Sequence, residues 1–444
     1  MSNKLRREDI LIRVFGITVF AILILVGVAV AAPFAYVTSI GIDTGTVFVI
    51  DTATNNLTAV VPIEGWAGQA AINPAGTKVY VTDSSGFSTT VSVIDTATNK
   101  VDAVVDVGGY PLGVAVNPKG SRVYVTVRDS PTISVINTVI GTSTNTVMDP
   151  VNVGMISSEV AFTPDGKKIY ATNNRNNTTS VIDVATKKVT AIVPVGDYPT
   201  DIAVSSDGNK VYVINSGSNN VSVIDTATNN VTGSVPVGDG PSDIAVSPDG
   251  KKAYVTNWQS NNVSIINTAT NTVTATVPVG LTPFGVAVTP DGKKVYVANS
   301  AVYSGDYEAN VSVIDTAINT VTATVNTGKY AMNCPVGVVI GPFRSSDMTD
   351  QRIKATYNET DQSTMETLNA TEDKGVEETN LSSSEEKNAV ELNNSTNNNS
   401  ESNKGGRSGG DKSSKNNSTP GFGLLGSLTC LYGGWKLRKE EVPK

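Results

Sequence analysis

Few residues in this chain could do chemistry. Its 444 residues include no histidine, so the commonest general base and the commonest transition-metal ligand are both missing. Neither a Ser-His-Asp nor a Cys-His arrangement can be assembled. Two cysteines, Cys334 and Cys430, supply neither a disulfide framework nor a thiolate cluster for zinc or iron–sulfur. Carboxylates remain. Asp306 and Glu308, in "SAVYSGDYEAN", could serve as a general acid and base. They stand two apart on one glycine-containing loop, with no sign of a desolvated pocket to split their pKa values. No catalytic residue is therefore expected, and no metal or cofactor.

Aromatic side chains give the stronger signal. A set of related segments reads "EGWAGQ", "GGYPLG", "GMISSE", "GDYPTD", "GDGPSD", "GLTPFG" and "GKYAMNCPVG". They carry Trp66, Tyr110, Tyr198, Phe284 and Tyr330. Trp258 in "NWQSNN" joins them, as do Tyr303, Asp306 and Tyr307 in the longest insertion. Tyr and Trp combine flat apolar area with a polar handle, which suits a sugar or a protein partner. Covering the ends of neighbouring elements is the plainer role for the same rings.

The elements that would position these residues are repeated. A tyrosine in a "YVT"-like word recurs at Tyr36, Tyr80, Tyr124, Tyr170, Tyr212, Tyr254 and Tyr296, with steps of 44, 44, 46, 42, 42 and 42 residues. A "VSVID"-like word also occurs seven times, ending at Asp51, Asp95, Asn137, Asp183, Asp225, Asn267 and Asp315. Each unit holds four short β-branched runs separated by turn signals. A "PDG" turn joins the first two, and "DTATN" joins the last two. Four strands in such a period is the pattern of a propeller blade. The chain enters at a second run, "AYVTS", and the missing first run appears at the far end as "PVGVVIGP". An all-β, seven-bladed propeller over 34–343 follows, closed by both ends within one blade, which removes the open edge of an unclosed array.

In such blades the "PDG" and "DTATN" turns share one face. The blade-to-blade loops and the loops between second and third strands share the other, and these vary. Binding residues concentrate on loops held by a rigid scaffold, so the variable face is the candidate surface. The acids of the uniform turns, among them Asp165, Asp249 and Asp291, read as turn-closing hydrogen-bond acceptors. Asn137 and Asn267 do the same work, and calcium would need several oxygens converging on one point.

The body resembles the YVTN family of β-propeller repeats, known from archaeal surface-layer-type proteins. The carriers are "VYVTN"-like words, "VSVIDTATN" and "PVGxxPxGVAVSPDG", seven times in register. "NPAG" and "NPKG" replace "PDG" in the first units, and "YVTN" is intact only at 254–257. The resemblance implies an envelope or surface-layer protein with a structural, adhesion or binding role, whose partners would be lateral surface-layer or adhesion partners or a glycan. Two rivals stand beside it: a secreted glycan- or protein-binding module with no coat role, and a propeller enzyme of lactonase or quinoprotein type.

The ends point outside the cell. Lys4, Arg6, Arg7 and Arg13 precede an uncharged run from Val14 to Ala35, with a small-x-small site at 29–31; residues 1–33 read as a signal peptide or signal anchor. Residues 344–419 are rich in Ser, Thr, Asn and Glu and read as a disordered stalk. The last segment, 420–444, sets Pro420, Gly421 and Phe422 before a 14-residue uncharged patch and Lys436, Arg438 and Lys439. A membrane span needs about 20 residues. A polar spacer, short apolar tail and basic end are the parts of a signal that is cut and replaced by lipid. The ending resembles the PGF-CTERM sorting signal of archaeal surface proteins, which implies an archaeosortase-type enzyme and a membrane lipid as partners. Expected localisation is extracellular, at the cell surface and membrane-anchored. Sequons at Asn177, Asn220, Asn262 and Asn310, on the variable face, and at Asn56 and Asn230, on the opposite face, are candidate glycan acceptors. A net charge of −8 argues against a nucleic-acid partner.

Overall fold

The computed structural model describes residues 33–41, 44–86, 88–138, 145–153, 157–300, 309–327 and 334–341. The segments assigned to export, stalk and sorting signal, including Pro420, Gly421 and Phe422, lie outside the described residues. So do Tyr303, Asp306, Tyr307, Glu308 and Tyr330.

Each repeat folds into four antiparallel strands because its apolar residues alternate and its breakers fall between the runs. Seven four-stranded sheets result. In the fifth, the strands Pro199–Val204, Lys210–Asn215, Asn220–Asp225 and Asn230–Pro236 run from the inside outward. Burial differs by strand position. Second and third strands are buried along nearly their whole length, whereas the outer strand alternates and the inner strand is half-buried. A middle strand is covered on both faces by neighbouring blades; an inner strand borders a central channel.

Blade-to-blade packing is the core. Tyr212, Ile214, Val221 and Val223 of the fifth blade pack on Ile244, Ala253, Val255 and Ile266 of the sixth. All seven repeat tyrosines are at most 2% exposed; burial pushes the phenols of Tyr170, Tyr212 and Tyr254 up to about 12. Between blades, the Lys168, Lys210 and Lys252 ammonium groups donate to the Thr226, Thr268 and Thr316 carbonyls in the next blade.

The ring closes as the sequence implies. The C-terminal strand Cys334–Ile340 pairs antiparallel with Phe34–Ile40, in register Ala35 with Ile340 and Tyr36 with Val339. The same blade-to-blade rules operate across the seam: Lys294 donates to the Thr52 carbonyl at 2.6 Å, and the Tyr296 hydroxyl donates to Asn55 Oδ1 at 2.6 Å. One apolar cluster joins Ala35, Val37, Phe48 and Ile50 to Tyr296, Ala298, Val311 and Val313.

Candidate functional site

The repeated acids close turns. Asp225 Oδ1 accepts from the Thr228 amide at 2.8 Å, and Asn267 Oδ1 accepts from the Ala269 amide at 2.9 Å, so either residue suffices. In the "PDG" turns, Asp165 and Asp249 accept from the hydroxyls of Thr163 and Ser247 and from the Lys167 and Lys251 amides. These bonds hold both carboxyls below the usual carboxylate range. Gly250, at φ +70°, completes its turn in the left-handed region.

On the variable face a cavity of about 130 Å³ opens at the channel mouth. Its wall includes Arg128 and Asp129 from one strand-two loop, Asn174 and Arg175 from the next, and Glu159, Thr200 and Asp201 from the inner strands and the approaches to them. Exposure grades from rim to floor. The Arg175 and Asp129 side chains are 65% and 62% exposed, and Arg175 reaches Asp129 at 3.1 Å. Arg128 lies 3.8 Å from Asp129 and 5.4 Å over the Tyr110 ring. Glu159 and Asp201, in the same wall, are half-buried.

Glu159, Asp201 and Asp243 occupy the same inner-strand position in three consecutive blades, where the others carry Gln69, Gly113, Gly285 and Gly337. Each Asp reaches sideways: Asp201 accepts from the Ile244 amide and Asp243 from the Val286 amide, both at 2.8 Å in the next blade. Glu159 leans the other way, over Gly113, where an added Cβ would collide with its carboxylate. Burial raises the pKa of all three carboxyls. The charge of Asp201 adds to the effect on Glu159 and Asp243, and Asp201 and Asp243 hydrogen-bond each other. Among the described residues none of the three has a Lys or Arg ion-pair partner. No cluster of three metal-ligating side chains occurs among them either.

Of the aromatic candidates, Tyr198 lines the cavity. Tyr110 supports it from behind, donating its hydroxyl to the Ser84 carbonyl at 2.6 Å. Trp258 stacks on Phe284 with ring centroids 6.3 Å apart, and Phe284 is 6% exposed. These two cover the end of a blade. The Trp66 amide is held by Asp83 at 2.8 Å, away from the cavity wall. Aromatic residues alone do not single out the polar part of the cavity wall. The signal was present in "GMISSE", "GDYPTD" and "GDGPSD", which end on Glu159, Asp201 and Asp243.

The sequons divide by geometry. Asn220, Asn262 and Asn310 start third strands, half-buried, and accept from the amides of the buried Asn215, Asn257 and Asn299. The sequon serines Ser222, Ser264 and Ser312 accept from the same amides. Here the N-x-S pattern has a structural cause. Asn56, Asn177 and Asn230 are exposed.

Residues 200–289 match the YNCE-like beta-propeller family, and residues 142–236 match the seven-bladed lactonase propeller family. No curated protein matches the chain. Among solved structures, Kuenenia stuttgartiensis hydrazine synthase superposes with TM-score 0.53 at 24% identity, over 62% of this chain and 93% of that one. A functionally unknown protein of Desulfotomaculum acetoxidans gives TM-score 0.58 at 16% identity, over 69% and 98%. A candidate 6-phosphogluconolactonase from Bacteroides uniformis gives TM-score 0.54 at 20% identity, over 69% and 99%. Such identities speak for fold alone. The chain is a seven-bladed β-propeller, similar over residues 200–289 to YNCE-like propellers and over residues 142–236 to seven-bladed lactonase propellers.

Proposed function

We propose that this protein is a binding propeller displayed at the cell surface, with its ligand seat at the channel mouth. The cavity walled by Arg128, Glu159, Arg175 and Asp201 carries this reading. A concave site with a few convergent polar groups is the default place for a ligand, and this one lies on the face whose loops vary from blade to blade. The rest of the body is uniform scaffold. The expected result in a thermal-shift screen of saccharides, amino acids and short peptides is at least one class that raises Tm and loses its effect in Arg175→Gln and Glu159→Gln. Ligand at a hundredfold excess over Kd contributes about 2.7 kcal/mol, several degrees for a domain this size. Hits indifferent to both substitutions would move the seat elsewhere.

Surface display rests on the apolar N-terminal run, the polar stalk and the PGF-containing ending. An archaeosortase-type enzyme would exchange that ending for a membrane lipid. Intact-mass analysis of protein from the cell envelope should find residues after Phe422 replaced by lipid and glycan preferentially on Asn56, Asn177 and Asn230. A full-length, unmodified chain would remove the display reading and leave the seat standing.

A hydrolase is the second reading. It is favoured by the hydrogen-bonded pair Asp201 and Asp243 and by the lactonase-type match over 142–236. Raised carboxyl pKa values cluster at active sites. Turnover of a lactone panel that Asp201→Asn abolishes would favour it over binding alone.

A further inference from the structure

We propose that the channel-mouth cavity takes a small zwitterion of the α-amino-acid type, its ammonium toward the floor and its carboxylate toward the rim; this rests on the seat reading above. Two independent observations carry the assignment. The first is the segregation of charge across one cavity wall. Exposed Arg175 and half-buried Arg128, both on strand-two loops, share the single carboxylate of Asp129, which leaves donor capacity on two guanidinium groups. Guanidinium is suited to a carboxylate through paired N–H donors. Glu159 and Asp201 line the floor with no cationic side chain paired to either among the described residues. Carboxylates drawn away from water favour a hydrogen-bonded counter-charge.

The second observation concerns neutral groups. Asn174 Oδ1 and the Thr200 hydroxyl belong to cavity-lining residues, are shielded from solvent, and have no hydrogen-bond partner among the described residues. Buried polar atoms are normally bonded. An ammonium has three donors and no acceptor, so Glu159, Asp201 and the Thr200 hydroxyl oxygen, all on or beside inner strands, supply acceptors of the kind it needs. Size agrees: an engineered cavity of about 150 Å³ holds a benzene-sized molecule, and this one, about 130 Å³, suits a ligand of similar bulk. A neutral sugar would leave the floor without a counter-charge, and a simple anion would meet Glu159 and Asp201.

Isothermal titration of the full-length protein with a panel of α-amino acids tests the proposal. N-acetylated and carboxamide forms and neutral hexoses serve as comparison probes. At least one free amino acid should bind, with its N-acetyl and amide forms each weaker by about tenfold or more. Glu159→Gln and the double variant Arg128→Gln/Arg175→Gln should each weaken it by a similar factor. Gly113→Ala, which displaces the Glu159 carboxylate without touching the rim, should do the same while circular dichroism stays unchanged. Hexose binding without amino-acid binding, lost in Glu159→Gln, would keep the seat and overturn the zwitterion. Amino-acid binding indifferent to all the variants would overturn the residue assignment. Silence from every probe class would overturn both.

Discussion

A chain lacking residues 334–341 should fail to form a cooperatively folding ring. That segment is the inner strand of the blade whose other strands come from the N-terminal end of the body. Its loss strips Ala35, Tyr36, Val37 and Thr38 of their antiparallel partners. It also removes Val338 and Ile340 from the cluster that joins first and last blades, and Val339 from the cluster on the other side. Gly285 shows how close the fit is: an added Cβ there would lie 2.8 Å from the Gly337 backbone. Losing a strand costs several kcal/mol, a large share of the 5–15 kcal/mol that typically holds a protein folded. The exposed edge would also invite intermolecular pairing. Gel filtration should find aggregate, and urea melts should broaden. Tyr296→Phe grades the effect: it deletes the seam's hydroxyl bond to Asn55, so a loss of about 1 kcal/mol is expected. A monomer melting like the parent after the deletion would mean that the seam is held by something other than this strand.

Asp243→Asn should stabilise the protein at neutral pH and leave it unchanged near pH 4. Burial, the neighbouring Asp201 charge and the bond to Asp201 all raise the Asp243 pKa above its ordinary value, with only the Val286 amide bond among its main partners opposing. A raised folded-state carboxyl pKa means that the folded protein binds the proton more tightly than the unfolded chain. The associated stability is complete below the unfolded value, about 4, and declines as pH rises through the folded value. Asparagine reproduces the protonated carboxyl: its oxygen can accept from Val286 and its amide can donate to Asp201. The gain over the parent should therefore grow from pH 4 to pH 8. Partial exposure of these half-buried groups limits the effect to about 1 kcal/mol, or roughly 2–4 °C in Tm. The comparison must be a difference between variant and parent. The turn acids Asp165, Asp207 and Asp249 have lowered pKa values, so their contribution runs the opposite way and is lost as pH falls. A pH-independent difference would show that the carboxyl row stays ionised.

The blade count, the strand order and the closing strand were all readable from the sequence, because each depends on local information repeated seven times. The spacing of Tyr36 to Tyr296, the turn chemistry of "PDG" and "DTATN", and the displaced "PVGVVIGP" run suffice for them. Even the exchange of Asp225-type residues for Asn267 followed from one hydrogen bond within a turn. Aromatic content pointed to the variable face, where Phe284 is buried against Trp258 and Tyr110 donates to the Ser84 carbonyl.

What needed the tertiary structure was the meaning of single positions in the inner strands. An alternating pattern says that a residue points away from the packed face; it does not say whether that side meets bulk water, a neighbouring blade or a closed channel. Curling seven sheets around an axis brings Glu159, Asp201 and Asp243, about 42 residues apart in sequence, into one row. There the charge of Asp201 helps raise the pKa of both Glu159 and Asp243. The same curvature sets Arg128 and Arg175 in one cavity wall with Glu159 and Asp201. Electrostatic coupling acts through space in a low-dielectric setting, and distance through space is fixed by ring closure rather than by any local run of residues.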